Sequence, residues 1–210
     1  MDWYIIPARR GSKGLPFKNR KLFEYTINSI PASLRENVIV TTDDEKIQAR
    51  AQEYELIVRN RPEELSGDAV SIKCVLEDVI DYYKLLPEDN LILLYLTYPE
   101  RELKDITAAI AFFNDKKASS LLCKKELKVS PYLCCFEVGG IKGKKIINHD
   151  LYRRQDYLEC FEMSHFIAIV KVNFLKKVVT NLFSSDTIFM PINNVIDVDL
   201  PTDLKEFLND

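Results

Sequence analysis

The chain has 210 residues, 47% of them hydrophobic, enough for one substantial core with a small appendage. A net charge of −3 gives no global electrostatic case for nucleic acid, and no apolar run reaches the roughly 18 residues that cross a membrane. The N-terminus lacks the charged, apolar and small-residue order of a signal peptide, so a cytoplasmic protein is expected. Trp3 to Ile6 read as an apolar strand that runs straight into a loop. Residues 5–19, IIPARRGSKGLPFKN, carry two arginines, two lysines, two glycines, a serine and two prolines. Glycine allows backbone conformations that a Cβ resists. Closely spaced N–H groups, a hydroxyl and four cations at a strand end suit a polyphosphate. Arg9 offers a bidentate fork, and Lys13 and Lys18 offer point charges. A solvated basic loop is the alternative. Neither GxxxxGK[ST] nor GxGxxG is present.

Helical spacing follows over 20–30, with Pro31 at its end. Val38 to Val40 form a short strand that ends in Thr41, Thr42, Asp43 and Asp44, and a helix is expected over about 44–54. Leu56 to Val58 form a third strand, and the polar loop RNRPEELSGD separates it from a long helix over about 69–86. Asn90 to Leu96 (NLILLYL) is the most continuous apolar strand and empties into Thr97, Tyr98, Pro99, Glu100 and Arg101, ahead of a helix over about 103–114. Strand and helix alternate with short loops. The expected fold is α/β, a mostly parallel central sheet with helices on both faces. Right-handed crossovers put strand C-termini on one edge, where ligands bind. The Arg9–Lys18 loop, Asp43–Asp44 and Thr97–Arg101 should therefore meet at one site.

From about 119 short strand-like pieces replace the alternation. Gly139-Gly140 and the basic run after it read as a hairpin, and 125–163 reads as an excursion inserted into a single domain spanning 1–210. Arg153, Arg154 and Gln155 lie in it, either as a solvated face or as a clamp for an anionic substrate. Phe166 to Val172 return as a strand, followed by a helix over about 173–183, a strand near Ile188–Pro191 and a short terminal helix capped by Thr202 or Asp203. Asp197-Val198-Asp199 is expected as a strand with both carboxylates on one side, suited to magnesium that also meets phosphate oxygens, or else as a polar strand end with Asp199 capping the last helix. Asp43 and Asp44 form a rival pair, although acidic residues at a helix start need no further reason. His149 and His165 are isolated, and five cysteines with no CxxC pair read as reduced packing residues, Cys160 being the expected exception.

These residues resemble a family. IIPARRGSKGLPFKN is similar to the N-terminal signature IIPARxGSKGxPxKN of the acylneuraminate cytidylyltransferases, the CMP-sialic acid synthetases and their relatives, with every fixed position filled. VIVTTDDEKI, RPEELSGDAVS, RRQDY and DVDLPTDL resemble later family segments in the same order. The resemblance implies a nucleotide-binding α/β sheet and a homodimer joined through the excursion. It implies CTP-dependent transfer of CMP to a 2-keto sugar acid, with magnesium and with release of pyrophosphate. It assigns Arg9, Gly11, Ser12, Lys13, Lys18 and Asn19 to the nucleotide, and Asp197 and Asp199 to the metal, with Arg9, Lys13 and Asp199 carrying catalysis. Tyr95, Thr97, Arg101, Arg154 and Gln155 fall to the sugar. The family's LQPTSPLR stands here as LYLTYPER, so Tyr95 replaces a glutamine and Tyr98 a serine, which puts the departure on the acceptor side. A different acceptor such as Kdo, or a nucleotide-binding protein without acceptor chemistry, is the alternative.

Overall fold

A computed structural model describes residues 1–209. Seven strands form one sheet and two more a separate hairpin. The first strand, β1 (Asp2–Pro7), leads through the basic loop into helix α1 (Lys18–Asn28). Then come β2 (Val38–Thr42), α2 (Glu45–Glu53), β3 (Ile57–Asn60), α3 (Ile72–Tyr83), β4 (Asn90–Leu93) and α4 (Leu103–Asp115). After β5 (Ser120–Glu126) the chain leaves the sheet through β6 (Cys135–Val138) and β7 (Lys142–Lys145). It returns as β8 (Phe161–Lys171) and ends with β9 (Ile188–Pro191) and α5 (Pro201–Asn209).

The strand order is β3-β2-β1-β4-β8-β5-β9. All neighbours are parallel except β8, which runs antiparallel to both β4 and β5. Side chains alternate across the sheet, as the period of a strand requires. Tyr4, Ile6, Val38, Val40 and Ile92 join one buried cluster with Leu22, Phe23, Ile47, Ala51, Ile106 and Phe113 of α1, α2 and α4. Ile5, Ile39, Leu91 and Leu93 face the other way and pack with Leu76 and Val79 of α3 and with Phe174 and Leu175. The result is three layers, with helices on both faces. Order reverses between β1, which sends the chain outward to β2, and β4 on its other side. A crevice opens at such a switch point, outside the strand C-termini.

The structure corrects four local expectations. The long helix starts at Ile72 rather than near 69, because Ser71 caps it by accepting the Cys74 N–H at 3.3 Å. No α-helix forms over 173–183; Val172–Lys177 make a 3-10 turn and the rest is irregular. Val178, Val179 and Thr180 are β-branched and poor helix formers, and Leu182 sits at φ 65° in the left-handed region. The extended backbone there is tied down from α3, with Lys73 Nζ donating to Val178 O at 2.8 Å. The Asp197–Asp199 stretch is not a strand: it has no ladder partner and is held by single bonds, notably Val198 N–H to Thr97 O at 2.8 Å. Finally, the excursion is slightly shorter than 125–163, since Lys125 belongs to β5 and Phe161 to Met163 belong to β8. Its hairpin turns at Gly139 and Gly140, whose φ values of 62° and 77° favour glycine. Tyr132 stacks on Tyr157 at 4.6 Å at the base.

Candidate active site

The basic loop is shaped from both sides. Ala8 extends the β1–β2 ladder, its N–H donating to Thr41 O at 3.0 Å. Two residues on, the Arg10 N–H donates to Asp43 Oδ1 at 2.7 Å, and Asn19 Nδ2 reaches back to Arg9 O at 2.8 Å. Asp44 caps α2 by accepting the Lys46 N–H at 3.0 Å and pairs with Arg20 at 2.7 Å. The rival carboxylates Asp43 and Asp44 thus hold structure together. Burial works against the charged Asp44 carboxyl, but Arg20 and the Lys46 N–H outweigh it and hold its pKa below the usual carboxylate value.

A cavity of about 460 Å³ opens at the switch point between β1 and β4. From the basic loop and α1 it is lined by Arg9, Gly11, Ser12, Lys18 and Asn19. From beyond β4 come Tyr95, Thr97 and Tyr98, and from the C-terminal segment Asp197 and Asp199. Residues 181 positions apart meet here, since Lys18 Nζ pairs with Asp199 Oδ1 at 2.5 Å. The approach depends on Gly14. A Cβ there would fall on the carbonyl oxygen of Asp199 and press on Leu200 Cδ2 at 3.3 Å. Leu200 begins the approach to α5, and Asp203 caps this end by accepting the Asp199 and Leu200 N–H groups at 2.9 and 2.7 Å.

Charges in the cavity are largely matched. The Asp68 carboxylate bridges Lys13, at 2.8 Å, and Arg9. The Lys13 and Arg9 hydrogen bonds hold the Asp68 carboxyl below its ordinary pKa. Its two oxygens sit against the cations much as phosphoryl oxygens would. Asp197 Oδ2 accepts the Tyr98 hydroxyl at 2.8 Å, while Asp197 Oδ1 is buried with no partner. Burial, aided by the Asp197 charge, pushes the phenols of both Tyr95 and Tyr98 well above their ordinary pKa. Among the described residues no group of three His, Cys, Asp or Glu converges on a common point. A cation held by Asp197 and Asp199 would therefore take its remaining ligands from water and phosphate oxygens, which suits magnesium.

Four expected site residues do not line this cavity. Lys13 approaches it only through Asp68, its side chain 83% exposed. Arg101 is 2% exposed and points into the protein. Its guanidinium donates to Phe166 O at 2.7 Å, Tyr95 O at 2.9 Å and Thr26 Oγ1 at 3.2 Å, and burial lowers its pKa to about 10. It is a tie between β8 and the β4 loop, not a sugar ligand. Arg154 and Gln155 lie in an exposed 3-10 turn of the excursion, away from the cavity.

The cavity also holds residues that sequence reasoning passed over. Arg61, 7% exposed, makes its hydrogen bonds to Thr41, at 2.8 Å to the carbonyl oxygen and 3.3 Å to the hydroxyl. Burial lowers its pKa to about 10, against the pull of Asp43. Arg61 and Asp68 both belong to RPEELSGD, so their signal was that segment. His165 meets Tyr95 edge-on at 5.9 Å and its Nε2 lies 2.8 Å from Asn181 O. His165 reads as an isolated histidine along the chain, and Asn181 falls in the stretch over about 173–183 that reads as helix.

The family model described as cytidylyltransferase matches residues 3–86. The chain is 38% identical over 120 residues to the N-acylneuraminate cytidylyltransferase of Escherichia coli O18:K1:H7, covering 52% of this chain but only 27% of that longer protein. It is 29% identical over 220 residues to post-translational flagellin modification protein B of Campylobacter coli, covering 97% and 92%. Among solved structures, the CMP:2-keto-3-deoxy-manno-octonic acid synthetase complexed with CTP superposes with a TM-score of 0.66 at 16% identity, over 98% of this chain and 96% of that one. That last likeness concerns the fold alone. The family model covers β1 to α3 and the basic loop, the part of the chain where the cavity's cations reside, so the chain is similar to the cytidylyltransferases over that part.

Proposed function

We propose that this chain transfers CMP from CTP to the anomeric hydroxyl of a 2-keto sugar acid and releases pyrophosphate, in the cytoplasm. The observation that carries the reading is the meeting of the cationic loop with Asp197 and Asp199 across one cavity, joined by the Lys18–Asp199 pair. In support, one of the relatives described above is by its name an N-acylneuraminate cytidylyltransferase.

In the proposed reaction the sugar oxygen attacks the α-phosphorus in line. A new oxygen–phosphorus bond forms while the bond to the bridging oxygen of pyrophosphate breaks, and the hydroxyl proton passes to Asp199. Arg9, Ser12 and Lys13 hold the triphosphate, and the two cations offset the charge that grows on pyrophosphate. Gly11 keeps the backbone N–H groups accessible, and Asn19 fixes the loop through Arg9 O. Positioning supplies much of the rate in such transfers. Tyr95 and Thr97 form the acceptor side.

The residues present fit magnesium. A carboxylate oxygen shut away without a donor, as Asp197 Oδ1 is, is costly, and a cation relieves it. Asp197 and Asp199 would hold the ion, which when bound supplies charge neutralisation at the phosphates. Arg154 and Gln155 would reach the acceptor from a second copy of the chain. In support, the excursion exposes Ile141 and Tyr152, 90% and 97% accessible. Two such faces would cover each other in a homodimer.

The test is a product assay. The chain with CTP, magnesium and a panel of sugar acids, Kdo included, should release pyrophosphate and a CMP-sugar identifiable by mass. Asp199→Asn should fold normally and lose most turnover. CTP binding without product from any acid would instead favour a nucleotide-binding protein.

A further inference from the structure

Tyr98 stands where the family pattern has serine, and its surroundings give it a task. The ring is 5% exposed, and its hydroxyl donates to Asp197 Oδ2 at 2.8 Å. Behind it, Ser164 of β8 donates from Oγ to the Tyr98 hydroxyl at 3.5 Å, and the same Oγ accepts the Phe166 N–H at 3.2 Å. The Phe166 ring meets the Tyr98 ring edge-on, centroids 5.6 Å apart. Backbone and packing thus hold the phenol in one pose, and the phenol holds one carboxylate oxygen. Val198 N–H, bonded to Thr97 O at 2.8 Å, anchors the main chain beside it.

A carboxylate free to rotate offers either oxygen to a cation. One whose Oδ2 is committed to a donor offers a single oxygen in a set direction, and outer hydrogen bonds of this kind orient metal ligands. Asp197 Oδ1 is the oxygen left without a partner. A serine at position 98 lacks the ring that carries the hydroxyl out to Asp197. We propose that Tyr98 is a positioning residue for the metal-holding carboxylate: its hydroxyl takes Oδ2 of Asp197, leaves Oδ1 for the divalent cation, and is itself held by Ser164. The proposal rests on the magnesium reading of Asp197 and Asp199.

Manganese binding tests it without turnover. The full chain is titrated with Mn2+ in the presence of CTP and no acceptor, and free Mn2+ is read by electron paramagnetic resonance against a protein-free CTP baseline. Tyr98→Phe keeps the ring and should raise the Mn2+ dissociation constant about ten- to a hundredfold. Tyr83→Phe removes a phenol hydroxyl bonded to Val58 O, away from the cavity, and should leave the constant within about twofold. Ser164→Ala should shift it in the same direction as Tyr98→Phe by a smaller factor, and it decides the matter if Tyr98→Phe does not fold. A Tyr98→Phe constant within about twofold of wild type overturns the proposal. So does an unchanged Ser164→Ala in the second case. A wild-type chain that binds CTP but no Mn2+ overturns the magnesium reading and this proposal together. Absence of product from every sugar acid would leave the Mn2+ result standing.

Discussion

Gly14→Ala is the sharpest single perturbation of the site's architecture. The added Cβ would meet the Asp199 carbonyl oxygen and carbon and Leu200 Cδ2, with the carbon at 3.4 Å and the methyl at 3.3 Å. Gly14 has no positive φ, so backbone strain does not enter and the cost is steric alone. The neighbour that must give way is backbone, and it has little freedom. Val198 is bonded to Thr97 O, the Asp199 and Leu200 N–H groups are bonded to Asp203, and the Asp199 side chain is bonded to Lys18. Overpacking of this kind costs about 1–3 kcal/mol. Gly11→Ala is the internal comparison. Its Cβ would meet only the Arg9 Nη1 atom, at 4.0 Å, and a surface change without a clash stays within about 0.5 kcal/mol. Urea unfolding should therefore separate the two variants by about 1–2 kcal/mol. If displacement of Asp199 absorbs the strain, the loss appears in CTP affinity instead, about tenfold for each 1.4 kcal/mol. A Gly14→Ala variant with the stability and the CTP affinity of the wild type would refute the claim that Gly14 sets the distance between loop and aspartates.

Arg101→Met should fill most of the space but leave Phe166 O, Tyr95 O and Thr26 Oγ1 without donors. About 2–4 kcal/mol of stability should be lost in denaturant unfolding, and a variant as stable as wild type would remove the structural role assigned to this guanidinium. Asp44 has a folded pKa below its unfolded value of 3.8. Its contribution to stability is thus present above that value and lost as pH falls through the folded pKa. Asp44→Asn should cost about 1–3 kcal/mol at neutral pH, through the Arg20 bond, and should flatten the acid side of the stability–pH curve; an unchanged slope below pH 4 would contradict this. For the excursion, sedimentation should give a dimer, and Ile141→Asp with Tyr152→Asp should give a monomer with a raised KM for the acceptor. A monomeric wild type would end the proposed reach of Arg154 and Gln155 into a second copy.

Much of the fold was legible along the chain because its signals are local. Apolar runs on β1 and β2, helical spacing on α1 and α3, and glycines at the hairpin each need only nearby residues. The basic loop stood out for the same reason, fifteen residues of composition unlike anything else in the chain. Terminal contacts were another matter. Arg101 looks like a ligand in one dimension, because a cation at a strand end faces solvent unless acceptors surround it, here one from its own loop and two from distant segments. The helix expected over 173–183 gave way because Lys73, His165 and a run of β-branched residues favour extended backbone there.

By itself, the sequence determined the layers, the order of strands and helices, and which loop carries the cations, since hydrophobic period and loop composition are properties of neighbouring residues. Only the tertiary structure decided which charges meet. Asp68 lies between Arg9 and Lys13, Lys18 on Asp199, and Tyr98 on Asp197, at sequence separations of 59, 181 and 99 residues. Such pairings follow from where the strands end in space and from Gly14, which is small enough to let the basic loop and the Asp199 backbone touch.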